Sequence, residues 1–414
     1  MEETLSSTGS HWQLPLIFVL VMNARRGKKV PFRSISSSIE AFEEGPIMRT
    51  HEDEFTEEER DDLKSRIFRL RLPKRSVTNV LQKWVSEGNN ITVADLRSIS
   101  RDLRRSHRYK HALEISEWMV NHDEYHLSDT DYAIRIDLMT KVFGIDAAER
   151  YFQALPSSAK TTETYTALLH SYAGLKLIEK AEELYERMKG ENLPLTSITY
   201  NELMTLYMSV GQLEKVPLII EELKRQNVAA DLFTYNLWVS SCAAALNIDE
   251  VRRILDEMST DSGCNKTWIR YVQLTKIYIT SSHLVNSDFS SLVESEKGVI
   301  TQRELISYDF LIILYGALGN KDKLDQIWKS LRMTRQKMTG RNYVCILSSY
   351  LMLGHLKEVG EIIDQWKQSA TAEFNVAMCN KLLEALEEVG MTDKATSFRM
   401  ILGEKDCEPM DDLR

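Results

Sequence analysis

The stretch TTETYTALLHSYAGLKLIEKAEELYERMK (161–189) decides the fold, because a near-copy, SITYNELMTLYMSVGQLEKVPLIIEELK, follows at 197–224. At an offset of 35 residues Tyr165 falls on Tyr200, Leu168 on Leu203, Tyr172 on Tyr207 and Met188 on Leu223. A fixed period of this length marks a stacked-repeat architecture. In the first copy Tyr165, Leu168, Leu169 and Tyr172 stand at i, i+3, i+4 and i+7, one face of a helix. After a break at 173–176, Ile178, Ala181, Leu184, Tyr185 and Met188 make a second stripe, with Glu182, Glu183 and Arg187 turned away from it. Pro194 is expected to stop the second helix, and 196–199 to cap the next. In the second copy Gly211 marks the break, and Pro217 falls in the first turn of the second helix, where a missing N–H is tolerated. Each copy is a helix hairpin with too little apolar surface to fold alone; stacked copies bury a shared core.

Outward from this pair the same register runs along the chain. An anchor residue recurs at Leu96, Tyr132, Tyr165, Tyr200, Tyr235, Tyr271, Tyr308, Tyr343 and Cys379, at gaps of 33 to 37 residues. Seven positions after the anchor a tyrosine stands at 172, 207, 278, 315 and 350. Sixteen positions after it come Ala112, Ala148, Ala181, Val216, Val251, Val359 and Ala395. The spacing predicts an all-α fold, a right-handed solenoid of about nine repeats: 93–128, 129–161, 162–196, 197–231, 232–267, 268–304, 305–339, 340–375 and 376–410. The sixth is the least regular, and its second helix rests on Phe289, Leu292 and Val293. Before the first repeat, 63–92 carries two amphipathic stretches (Leu63, Ile67, Leu70, then Val77, Val80, Leu81, Trp84) and reads as a helical cap, since a terminal repeat meets water on one side.

Ordinary apolar content makes the chain a folded protein, and at 414 residues a solenoid fits better than one compact core. The five cysteines (Cys242, Cys264, Cys345, Cys379, Cys407) have no metal-ligand spacing and read as reduced thiols. Residues 1–39 differ from the rest. The apolar run 14–22 is too short to cross a bilayer, and Glu2 and Glu3 spoil a secretory signal. ARRGKKVPFRSISSS (24–38) holds five basic residues, several serines and no acid, the composition of an organellar targeting segment; a disordered basic linker is the alternative. The acidic stretch 40–62 reads as a solvated linker.

A 35-residue helix hairpin that opens with Tyr-Asn resembles the pentatricopeptide repeat family. ITYNELMTLYMSVGQLEKV (198–216) and TYTALLHSYAGLKLIEKAEELYERMK (164–189) carry the likeness; RYKHALEISEWM (108–119) and FGIDAAERYFQALP (143–156) resemble plant organellar members built only of plain repeats. The tetratricopeptide unit is the nearest rival, but its Trp-x-x-Leu-Gly signature is absent. The resemblance implies that each repeat contacts one base of single-stranded RNA, read by the residue after the anchor together with the last residue of the repeat. Asn201 with Asp231 fits that pairing in full and, by resemblance, favours uracil. Thr166 with Thr196 and Asn236 with Thr267 fit in part, Asp309 with Thr339 less well, and Asn380 at the first position only. Arg97, Ala133, Val272 and Val344 depart from it. Ile198, Phe233, Ile269 and Ile306, two residues before their anchors, are the implied apolar spacers between bases.

Each of these has a plainer reading. Asn201 and Asn236 could satisfy backbone groups near a helix start. The anchor tyrosines, spaced on the buried stripe, belong to the core rather than to a stacking platform. Arg101, Arg104, Arg105 and Arg108 could track phosphates or form a solvated face. The net charge of −9 argues mildly against a strong polyanion binder. His122 and His126 form an i, i+4 pair without a third ligand. Asn90 and Asn265 open glycosylation sequons with no other secretory sign. No phosphate-binding loop, zinc motif or nucleophile elbow is present, so neither catalysis nor a cofactor is expected. The expectation is an RNA-binding protein of an organelle, the mitochondrion or alternatively the chloroplast, that acts in RNA processing, stability or translation by occupying a transcript segment. It would have no membrane or small-molecule partner. A protein-interaction scaffold is the competing reading.

Overall fold

The structure, a computed structural model, describes residues 62–70, 76–122, 124–260, 265–281, 296–334 and 338–405, and every regular element among them is helical. The targeting segment, Cys264, Cys407 and the sixth repeat's second helix at Phe289, Leu292 and Val293 lie outside the described residues. The chain divides into two compact units, Met1–Val210 and Gly211–Arg414.

The amino-terminal unit holds α1 (Leu63–Phe68), α2 (Val77–Ser86), α3 (Val93–Arg105), α4 (Tyr109–Val120), α5 (Asp129–Phe143), α6 (Ile145–Ala154), α7 (Thr162–Gly174), α8 (Ile178–Gly190) and α9 (Ser197–Val210). Helices α3 with α4, α5 with α6 and α7 with α8 pair as hairpins, and the first helices touch their neighbours in order, α5 on α7 and α7 on α9. Ahead of the first hairpin, α2 packs on α4, and Ile67, Val77 and Leu81 join Leu96 and Leu103 in one apolar cluster.

The carboxy-terminal unit holds α10 (Lys215–Arg225), α11 (Leu232–Ala244), α12 (Ile248–Thr260), α13 (Lys266–Ser281), α14 (Glu296–Leu318), α15 (Lys321–Met333), α16 (Gly340–Leu353), α17 (Leu356–Lys367), α18 (Val376–Glu388) and α19 (Thr392–Glu404). Here the first helices do more than touch their neighbours. Helix α13 packs on α14, α16 and α18, and α11 packs on α14.

Repeating sequence produces repeating contacts. Among the anchors only Tyr132 is half-buried; the others are buried, as are all five tyrosines seven positions on. The small residues at the sixteenth position, Ala112 to Ala395, are 0–1 % exposed, because there the second helix lies against its partner with no room for a longer side chain. The residue before the anchor starts the helix. Asp95, Asp131, Thr164, Thr234 and Asn342 each close a capping box with the residue three before, satisfying two orphan N–H groups.

The turns differ from expectation in two places. Helix α8 ends at Gly190, ahead of Pro194: Asn192 takes a left-handed φ of 53°, and Leu193 N–H reaches Met188 O at 3.0 Å. Asn227 repeats the conformation 35 residues later at φ 53°, where no proline follows, so asparagine, which tolerates this region, ends both helices. Second, α14 runs straight through the expected repeat border at 304–305, since no proline interrupts it before Gly319, at φ 74°, turns the chain. That left-handed residue stands eleven positions after its anchor, as do His107, Lys176, Gly211, Leu246, Gly354 and Gly390 after theirs.

Candidate nucleic-acid interface

The residue following each anchor lies one step round the first helix, and the structure fixes what each meets. Arg97 on α3 is held by Asp131, with Nε to Oδ1 at 3.1 Å and Nη2 to Oδ2 at 2.7 Å. Burial works against the Asp131 charge, but Arg97 and Ser128 keep its carboxyl below the usual range. Ala133 is buried without a polar group. Thr166 is buried, its hydroxyl 3.2 Å from that of Thr199 on α9, and Thr196 is exposed just ahead of α9. Asn201 is 4 % exposed on α9.

In the carboxy-terminal unit Asp231 is the N-cap of α11, where its Oδ1 accepts from Thr234 N–H at 2.8 Å. Asn236 accepts from the Tyr271 hydroxyl at 3.1 Å, while Thr267 sits half-buried in the first turn of α13. Val272 and Val344 are buried. Asp309 is fully buried and receives three donors: Tyr278 Oη at 2.8 Å, Arg341 Nε at 3.1 Å and Asn342 Nδ2 at 2.7 Å. Burial lifts its carboxyl above the usual range despite Arg341. Asn342 Oδ1 in turn accepts from half-buried Thr339, so the sequence pair Asp309 and Thr339 is joined through Asn342. Asn380 is half-buried on α18, and its Oδ1 meets no partner among the described residues.

The spacer residues divide similarly. Ile198 and Phe233 are half-buried, Ile269 is 51 % exposed, and Ile306 is 1 % exposed within the α14 core. Among the basic residues Arg101 and Arg105 are exposed on α3, and Arg105 lies 3.5 Å from Asp102. Arg104 is half-buried. Arg108 serves the cap instead. Its guanidinium donates to the carbonyls of Phe68, at 3.1 Å, and Leu70, and lies over the Phe68 ring, closing the cap onto α4.

Sequence reasoning missed a charged ladder across the first helices of the amino-terminal unit. Lys141 Nζ meets Asp137 Oδ2 at 2.7 Å on α5, and His170 Nδ1 on α7 meets Glu202 Oε1 on α9 at 3.0 Å. Burial disfavours the charge on His170, yet Glu202 and Asp137 together raise its pKa above the ordinary value. The signal was available, since Asp137 and His170 share one register position, five after the anchor. Two weaker sequence features receive ordinary explanations. His122 Nδ1 lies 2.8 Å from Trp118 O with its ring stacked on the indole, and Asn265 caps α13 through Trp268 N–H at 3.2 Å.

The PPR repeat family model matches residues 163–193, 198–228 and 233–262. A mitochondrial pentatricopeptide repeat-containing protein of Arabidopsis thaliana is 59 % identical over 84 % of this chain and 86 % of its own length. A second mitochondrial one from the same plant is 30 % identical over 83 % of this chain and 70 % of its own length. Among solved structures, pentatricopeptide repeat protein PPR10 in complex with an 18-nt psaJ RNA element is a loose likeness, with TM-score 0.34 and 14 % identity over 83 % of this chain and 58 % of that one. Identity and coverage of this extent, on a register of buried anchors repeated hairpin after hairpin, make the chain a member of the pentatricopeptide repeat family.

Proposed function

We propose that this chain is a mitochondrial single-stranded RNA-binding protein that acts in RNA processing, stability or translation by occupying a transcript segment. The observation that carries the reading is the recurrence of one hairpin register in a chain of this family, because stacked hairpins present successive first helices at the rate of one per base. No catalytic step is involved; a bound strand is shielded from nucleases or held out of a hairpin. Arg101, Arg104 and Arg105 are the phosphate contacts proposed; Thr166 meets Thr199, Asn201 is 4 % exposed and Asp231 caps α11, which weighs against these three as base contacts. Asn236 and Asp309 already spend their polar atoms on Tyr271, Tyr278, Arg341 and Asn342, which weighs against their reading bases.

One observation favours a second reading, a scaffold for protein partners. The first helices of the amino-terminal unit alternate in charge, with Arg97 on Asp131, Lys141 on Asp137 and His170 beside Glu202, rather than forming one continuous cationic strip. Titration of the full chain with a random single-stranded RNA pool, at low and near-physiological salt and with duplex RNA as competitor, separates the two. RNA binding predicts single-strand preference and an affinity that falls log-linearly with salt. No association at low salt would sink the RNA reading and leave the scaffold. For location, a fluorescent fusion of residues 1–60 should collect in mitochondria.

A further inference from the structure

The first helices of the carboxy-terminal unit are closed on one another, and we infer that a single strand is contacted by the amino-terminal unit alone, on α3 and α5. This rests on the RNA reading proposed above and assigns the surface within it.

Three observations converge. Helix α13 packs on the first helices of the next three repeats, and Gln273 Nε2 donates to Val389 O at the end of α18, 3.3 Å away and 116 residues on. Gly316 marks how tightly these helices meet. A Cβ there would stand 2.9 Å from Ser349 Oγ on α16 and 3.2 Å from Leu274 Cδ1 on α13, so three helices converge where only a hydrogen fits. Burial runs round the whole helix rather than along one stripe: residues 308–317 of α14 and 341–351 of α16 are buried without a break. Helices buried all round are core elements, not walls of a groove.

The sequence agrees. Residues 232–244 of α11 and 342–353 of α16 contain no charged residue, and 305–318 of α14 contains only Asp309, which is enclosed by Tyr278, Arg341 and Asn342. A polyanion has nothing cationic to approach on these three stretches, and the exposed cations of α13 are Lys266 and Lys276. In the amino-terminal unit α3 buries only Leu96, Ile99, Ser100 and Leu103 and exposes Arg101 and Arg105, while α5 buries only Ala133, Ile136, Asp137 and Leu138.

The test uses the full chain and a random single-stranded RNA pool containing 4-thiouridine, with photo-crosslinked peptides mapped by mass spectrometry. Crosslinks should fall on α3 and α5, with none on α11, α13, α14 or α16. Crosslinks on any of those four helices overturn the inference. Two surface variants give an independent reading. Arg101→Glu should weaken binding and lower the salt slope by about 1, whereas Lys276→Glu, on the exposed strip of α13, should change affinity less than about twofold. A loss with Lys276→Glu as large as with Arg101→Glu also overturns it. If no RNA binds at any salt, the functional reading falls and the inferred α3–α5 contact falls with it. Hydroxyl-radical labelling of the free protein then judges the closure separately. Tyr271, Tyr278 and Tyr315 should label far more slowly than Ile269 on the exposed strip, and equal rates refute a closed unit.

Discussion

Tyr271, the anchor of one repeat, donates its hydroxyl to Asn236, the residue that follows the anchor of the repeat before, across 3.1 Å of fully buried core. A residue type that could read a base is here used to bind one hairpin to the next. Tyr271→Phe should therefore destabilise the chain by about 1–3 kcal/mol, because the Asn236 carbonyl loses a buried partner. Chemical denaturation measures it, and an unchanged midpoint would show that the hydrogen bond contributes nothing.

A larger effect is expected at Asp309. Asp309→Ala leaves the Arg341 guanidinium buried, 8 % exposed, without its carboxylate, at a cost of about 3–5 kcal/mol. The double variant Asp309→Leu, Arg341→Met removes both charges and should recover most of that loss. If the double variant is no better than the single one, the cost comes from packing rather than from an unpaired charge.

Protonation of His170 gives a pH signature. The Glu202 and Asp137 carboxylates raise its folded pKa above the ordinary 6.5 against the effect of burial, with Lys141 opposing them. Its stabilising contribution is thus fully present below pH 6.5 and lost as pH rises through the folded value. Asp137 runs the other way. Burial opposes its charge, but Lys141, His170 and Arg104 hold it below 3.8, so its contribution is present above 3.8 and lost as pH falls through the folded value. The melting-temperature difference between wild type and His170→Gln should be largest between 3.8 and 6.5 and should shrink at higher pH. A difference that grows with alkalinity would contradict this account of the pair.

Backbone conformation supplies a stabilising variant. Leu246 holds φ 62° at the hairpin turn where Gly319, Gly354 and Gly390 stand in later repeats. Its side chain is 42 % exposed, so little packing is lost on removal. Leu246→Gly should raise stability by about 1 kcal/mol by relieving left-handed strain, read as a higher melting temperature.

The position sixteen after the anchor tests the repeat packing. Ala181 is fully buried where α8 closes on α7, and Ala181→Leu should cost about 1–3 kcal/mol through overpacking. Glu179→Leu, two residues away and exposed, should stay near neutral in the same thermal melt.

Helix hairpins, buried anchors and the small sixteenth residue were legible in the residues alone. They are local or periodic, set by side chains a few positions apart on one helix. The polar sites resisted, and for a common reason. Arg97 held by Asp131, Asn236 by Tyr271, and Asp309 by Arg341 and Asn342 each join two repeats across 32 to 35 residues, and nothing in a single repeat announces its partner.

Secondary structure, register and the apolar face of each helix follow from the amino-acid order, because a 35-residue period repeats the same local physics along the chain. Whether a polar residue after an anchor meets solvent or core depends instead on how the hairpins pack. The close approach of α13 to α18, fixed by Gln273 and Val389 116 residues apart and by the space around Gly316, is a property of accumulated hairpin packing that no one repeat encodes. Packing of each hairpin on the next in turn makes Asn236 and Asp309, residues of base-reading type, hydrogen-bonding groups of the core.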